Sequence, residues 1–323
     1  MNAHDRLQSR CELYLVERRR LGFSCRNEVW ALPSFVRHVR AVDDRGPLRV
    51  EVMADWARSH GGTDPHTWAR RLKHLRNFTR WLRQFEPRTE VPDDTTFGTL
   101  PERLAPHIYS EQEVIDLLAA VRRLGPAPGL RGAVFESLFG LIAATGLRIG
   151  EALALRNLDV DLKAGMLSIH QTKFGKSRQV PMHPSTVDAL RRYRWLRDLV
   201  RGPADDEDPF FIGTCGRRGG QPLGERQAHR VFVELRRQLG WINRGAHHAP
   251  RIHDLRHTFV VRRIVQWQAQ GVDIDQAMLS LSTYVGHVMV SNTYWYLSAV
   301  PELTALAARR FETFTASREV QHA

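Results

Sequence analysis

Four short stretches of this 323-residue sequence carry side chains able to act on a phosphate. In HDLRHTF, His253 and Arg256 fall one helical turn apart, so a titratable donor and a rigid fork of donors point the same way. In ATGLRIGEAL, Arg148 follows Gly146 where a helix begins, a setting that favours anions, and Glu151 lies within one turn of it. In TKFGKSRQVP, a turn containing Gly175 separates two strand-like runs and leaves Lys173 and Lys176 at or near a hairpin tip. The fourth stretch, YVGHVMVSNTYWYL, carries Gly286 and His287, then Tyr294 and Tyr296 among apolar residues. Each stretch also has an ordinary structural reading: an Arg148–Glu151 ion pair, a histidine cap on a helix, aromatic packing at a helix end.

Taken in order, the four resemble the tyrosine recombinase (phage integrase) family. Its pattern is an arginine in TGLRxxEL, a hairpin lysine, HxLRH, a GH motif and a tyrosine nine residues after that last histidine. The chain offers Arg148, Lys173, His253 with Arg256, His287 and Tyr296, in that order and with that final spacing. The segment STYVGHVMVSNTYWYLSAVPEL is similar to that of transposon-borne and other mobile-element members. Two departures stand out: the interval from His253 to His287 is about two helical turns longer than in many members, and Val285 replaces the usual Leu.

The resemblance implies cleavage and rejoining of DNA strands through a covalent 3′-phosphotyrosine, without metal or other cofactor. Tyr296 would be the nucleophile; Tyr294 points about 200° away on a helix and cannot reach the same phosphate. Arg148 and Arg256 would grip the non-bridging oxygens, and His287 would add a hydrogen bond. His253 would do the same or accept the tyrosine proton. Lys173 would protonate the leaving 5′ oxygen, with Lys176 its rival, and Glu151 would orient rather than react. Only four of the 47 strong cations are lysine, so a lysine kept where proton donation is required is informative.

The elements that must position these residues make a mainly α protein. Helices are expected near 5–20, 28–42, 48–59 and 65–84, then a polar, proline-containing stretch from about 85 to 106 that reads as a linker. A capping box at Ser110 and Glu113 opens the second region, followed by a helix over about 131–144 that stops at Gly146. A small β section over 166–171 and 178–182 and helices near 184–200, 224–239, 253–270 and 301–316 complete it. The expected division is one helical domain over 1–100 and a second over 101–323, which the resemblance implies are the core-binding and catalytic domains, with a tail over about 301–323 that docks on a neighbouring subunit or on its own domain.

A formal net charge of +12 points to a polyanionic partner. In WARRLKHLRNFTRWLRQF, Leu72, Leu75, Phe78 and Leu82 fall on one side of a helix, while Arg70, Lys73, Arg76, Arg80 and Arg83 form a basic set with no acid among them. These five are the expected contacts to double-stranded DNA. Through strand exchange the resemblance also implies a homotetramer on two DNA sites, with or without sister recombinases. Three scattered cysteines and no long apolar run point to the cytoplasm, to the nucleoid when on DNA, and to no membrane partner. The alternatives are a type IB topoisomerase, an inactive DNA-binding regulator and a metal hydrolase using His247, His248, His253 and His257.

Overall fold

The computed structural model describes residues 3–59, 61–98, 103–125, 129–170, 177–214 and 219–299. Lys173, Lys176 and the segment 301–323 lie outside the described residues. The chain divides into two compact units, Met1–Arg103 and Leu104–Ala323.

Four helices form the first unit: α1 (Ala3–Arg20), α2 (Glu28–Ala41), α3 (Val50–Arg58) and α4 (Pro65–Leu82). Asp64 caps α4 by accepting from the His66 N–H at 3.1 Å, and Pro65 takes the first helical position, where a missing N–H costs nothing. Leu72, Leu75, Phe78 and Leu82 are fully buried against Leu32, Phe35, Met53 and Trp56, as their helical spacing requires. Each such side chain contributes about 1.5–3 kcal/mol by leaving water.

The stretch read as a linker is not free over 85–98. Glu90 donates its N–H to the Leu48 carbonyl at 2.9 Å and accepts from the Val50 N–H at 2.7 Å. Phe97 packs against Trp68, ring centroids 5.7 Å apart. Arg76 also departs from expectation. It sits about 40° round the helix from Leu72, at the edge of the apolar arc, and is buried. Its Nε donates to the Pro92 carbonyl at 2.9 Å and a terminal nitrogen pairs with Asp94, so it fastens the returning segment instead of facing solvent. Arg70, Lys73, Arg80 and Arg83 are exposed.

The second unit is helical around a small sheet: α5 (Glu111–Arg122), α6 (Leu130–Thr145), α7 (Ile149–Leu153), β1 (Val160–Asp161), β2 (Met166–Ile169), β3 (Arg178–Pro181), α8 (Pro184–Arg201), α9 (Glu225–Leu239), α10 (Ile252–Ala269), α11 (Ile274–Val285) and α12 (Ser291–Ala299). The capping box forms as read: Ser110 accepts from the Glu113 N–H while Glu113 accepts from the Ser110 N–H. Helix α6 is mostly apolar, apart from Arg131 and Glu136, because it is central, packed on α5, α8 and α10.

The sheet is antiparallel in the order β1-β2-β3, with Leu167 opposite both Val160 and Val180 on the core face. Strand β1, two residues long, and helix α11 are additions to the elements read from sequence, while α12 is the helix expected to carry Tyr294 and Tyr296. The long interval after His253 is filled by the rest of α10, a turn at Gly271 and α11, which Asp273 caps by accepting from the Asp275 N–H at 3.0 Å. Among the described residues no helix is long and apolar enough to cross a membrane.

Candidate active site

All of the site described below lies in the second unit. Helix α6 ends at Gly146, whose left-handed conformation (φ 65°) turns the chain out to Arg148 at the start of α7. A Cβ at Gly146 would lie 2.5 Å from Phe259 Cδ1, so glycine is required by contact as well as by φ. Glu151 accepts from the Arg148 backbone N–H at 3.1 Å and from Arg148 Nη1 at 2.8 Å; Arg148 Nη2 reaches the Gly286 carbonyl at 3.0 Å. The Arg148–Glu151 pair is therefore present, and it orients the arginine within a larger assembly.

The start of α10 is held by Asp254, fully buried, which accepts from the Arg251 N–H at 2.8 Å and from Arg251 Nη2 at 2.7 Å. Tyr109 adds a bond from its hydroxyl to the Arg251 carbonyl at 3.0 Å, and its N–H donates to Thr258 Oγ1 at 2.9 Å. This anchoring directs Arg256 inward. Arg256 is buried and donates to the Gly146 carbonyl at 2.6 Å and the Val285 carbonyl at 2.8 Å. Both carbonyls end helices, where the dipole favours a cation. The two bonds use two of the five donors on its fork.

Helix α11 ends at Gly286 (φ 70°), where a Cβ would meet the Arg178 guanidinium at 2.6 Å. His287 follows, its N–H bound to the Ser282 carbonyl at 2.9 Å and its Nδ1 2.7 Å from Thr293 Oγ1. Tyr296, on α12, is fully buried; its ring stacks on His287 with centroids 6.5 Å apart, and its hydroxyl lies 2.6 Å from His257 Nδ1. Tyr294 turns elsewhere and donates to Asp275 at 3.1 Å.

Two participants stand outside the residue set expected of a recombinase. Arg178, on β3, grips Glu151 with both terminal nitrogens, at 3.2 and 2.8 Å, and its Nε donates to the Tyr284 carbonyl at 2.9 Å. A buried carboxylate at position 151 would have required such a partner, but nothing in the spacing says which arginine supplies it. His257 is the other. It was visible as the last residue of HDLRH, yet only folding brings α12 against it.

Two guanidiniums, those of Arg148 and Arg178, thus pair with one carboxylate, and that of Arg256 lies close enough to feel its charge. Burial would raise the pKa of Glu151, but hydrogen bonds from Arg178, the charge of Arg178, the Arg148 N–H and the charge of Arg148 outweigh it and hold it below the usual carboxylate range. Burial, then repulsion from Arg148, pushes Arg256 down to about 9, with Tyr296 and Glu151 opposing and Arg178 adding to the repulsion; it remains charged at neutral pH. His253 keeps an open edge to solvent. The protein packed around its ring, then the charges of Arg256 and Arg251, bring it down to about 4 despite Asp254, with Arg148 adding to the repulsion, so it is neutral at pH 7. The cluster is short of negative charge. A phosphate would supply it.

The structure therefore gathers Arg148, Glu151, His253, Arg256, His287 and Tyr296, while Arg70, Lys73, Arg76, Arg80 and Arg83 belong to the other unit. Among the described residues no three His, Cys, Asp or Glu side chains are grouped as a metal ion would need.

Residues 109–302 match the phage integrase family. The chain belongs to that family. This integrase-family chain is 37% identical to the integrase/recombinase y4rB of Sinorhizobium fredii over 93% of its own length and 95% of that protein. It is 29% identical to the tyrosine recombinase XerC of Chromobacterium violaceum over 80% of its own length and 78% of that protein. Among solved structures its fold is similar to the Tn1549 transposon integrase in complex with transposon right end DNA, with a TM-score of 0.62 and 16% identity over 94% of this chain and 99% of that one. It is also similar to the lambda integrase tetramer bound to a Holliday junction, with a TM-score of 0.59 and 16% identity over 88% of this chain and 77% of that one. The protein is a tyrosine-type site-specific recombinase, an enzyme of DNA strand breakage and rejoining. Neither a topoisomerase nor an inactive regulator is favoured.

Proposed function

We propose that this recombinase cuts duplex DNA by attack of Tyr296 on the scissile phosphate, forming a 3′-phosphotyrosine and releasing a 5′ hydroxyl that is later rejoined. The observation that carries this reading is the tethering of Arg256 to Gly146 and Val285: one side chain ties the turn before Arg148 to the turn before His287, with Tyr296 stacked on that histidine. Arg148 and Arg256 hold the non-bridging oxygens and stabilise the charge that develops on them, with His287 as a further donor. His253, neutral at pH 7, hydrogen-bonds the phosphate. Glu151 and Arg178 keep Arg148 in place. Lys173 is the proposed donor to the 5′ oxygen, with Lys176 the rival.

The exposed cations Arg70, Lys73, Arg80 and Arg83 are proposed to hold the DNA backbone from the first unit. Exchange between two duplexes requires several active sites. A tetramer on two DNA sites is the proposed assembly, with sister recombinases where the two sites differ; the similar lambda integrase is a tetramer bound to a Holliday junction. The proposed setting is the cytoplasm, and the nucleoid when the enzyme is on DNA, in the movement of a mobile element like that of the Tn1549 integrase.

A nicked suicide duplex carrying the repeats that flank this gene tests the reading. Wild type becomes covalently attached and Tyr296→Phe does not. Absence of any adduct with wild type overturns the proposal.

A further inference from the structure

We infer that His257 is a catalytic residue of the cleavage step, the group that takes the proton from Tyr296. The inference rests on Tyr296 being the nucleophile and extends that assignment to a residue outside the phosphate-binding set. His257 Nδ1 lies 2.6 Å from the Tyr296 hydroxyl, within the range for direct proton transfer. Both side chains are buried, with exposures of 4% and 0%. The proton has a short path to the imidazole in a setting where an unassisted phenolate would be costly.

The geometry is held from three sides. His257 is one residue beyond Arg256 and one turn beyond His253, whose ring meets it edge-on with centroids 4.7 Å apart. Across the helix pair, the His257 ring lies 5.5 Å from the Tyr296 ring and 6.3 Å from Trp295. The plane of the phenol is fixed separately by its stack on His287. A phenol with a free pKa near 10 is a poor nucleophile at pH 7, and the positive cluster around Arg256 stabilises charge on phosphate without removing the phenolic proton. An imidazole can remove it.

In the step proposed, His257 is the tautomer with Nδ1 unprotonated. The Tyr296 proton moves to Nδ1 as Oη bonds to phosphorus, and the P–O5′ bond breaks. The departing O5′ takes a proton from the general acid, expected at Lys173. Nothing is oxidised or reduced. In rejoining, the 5′ hydroxyl attacks phosphorus and its proton returns to that acid, the P–Oη bond breaks, and His257 gives its proton back to the departing Oη.

The test compares wild type, His257→Asn and His257→Phe on the nicked suicide duplex made with a bridging 5′ sulfur at the scissile phosphate. A thiolate leaves without a proton, so the rate of adduct formation then reports attack alone. Asparagine keeps an acceptor near the position of Nδ1 but cannot carry a proton at neutral pH; phenylalanine keeps the ring volume. The expected result is a fall of about a hundredfold in both variants on the sulfur substrate. Melting temperature and site-specific DNA affinity of His257→Asn should stay near wild type. A rate for His257→Asn within tenfold of wild type overturns the inference while leaving Tyr296 as nucleophile. Wild type giving no adduct on this substrate overturns both readings together.

Discussion

Arg256 donates to the carbonyl of Gly146 at 2.6 Å, so the second arginine of the site is fastened to the turn that delivers the first. The contact joins residues 110 positions apart in sequence. It makes the end of α6 part of the proposed active site, although Gly146 has no side chain to contribute.

Gly146→Ala should therefore damage both stability and chemistry. The left-handed backbone costs a non-glycine residue about 1–2 kcal/mol. Pressing a methyl group against Phe259 adds about 1–3 kcal/mol. Urea unfolding should show the loss, and adduct formation should fall further than stability accounts for, because Arg148 and Arg256 share this turn.

Arg178→Gln should leave Glu151 as a buried carboxylate with a weaker set of partners. Because Arg148 still pairs with the carboxylate, the loss of Arg178 should cost about 1–3 kcal/mol. The double variant with Glu151→Gln should recover part of that cost in a thermodynamic cycle. Strict additivity of the two substitutions would count against the pairing as described.

The depressed pKa of His253 gives a pH dependence with a definite sign. The unfolded chain protonates this group near 6.5, whereas the folded chain resists down to about 4. Between those values the unfolded state binds more protons, so stability conferred by the neutral imidazole is present above pH 6.5 and declines as pH falls toward 4. Urea midpoints measured across that window should fall, and His253→Gln should flatten the dependence. A bound phosphate should move the His253 titration upward by NMR, since an anion favours imidazolium.

Salt dependence separates the basic residues of α4. Arg80→Ala and Lys73→Ala should each lower DNA affinity and reduce the slope of log affinity against log salt by about one. Arg76→Ala should lower the melting temperature with little change in the slope, because its guanidinium is used by Pro92 and Asp94. A slope change at Arg76 equal to that at Arg80 would count against this division.

The sequence carries the family, the mainly α architecture and the order of the chemical groups. It could do so because those features are local: a capping box, a glycine stop, apolar residues at helical spacing, and a tyrosine at a fixed distance from His287 are all written within a few turns of chain. The longer interval after His253 was legible as extra residues, but not as α11 returning the Val285 carbonyl to Arg256. Tertiary structure alone decided which groups share a partner. Arg76 reads as part of a basic stripe and is buried, because a segment some 16 residues later folds back over it. Arg178 and His257 read as ordinary members of their elements, and become the support of Glu151 and the neighbour of Tyr296 through contacts 27 and 39 residues apart. Periodicity fixes the face on which a side chain lies; what covers that face is set by packing between distant parts of the chain.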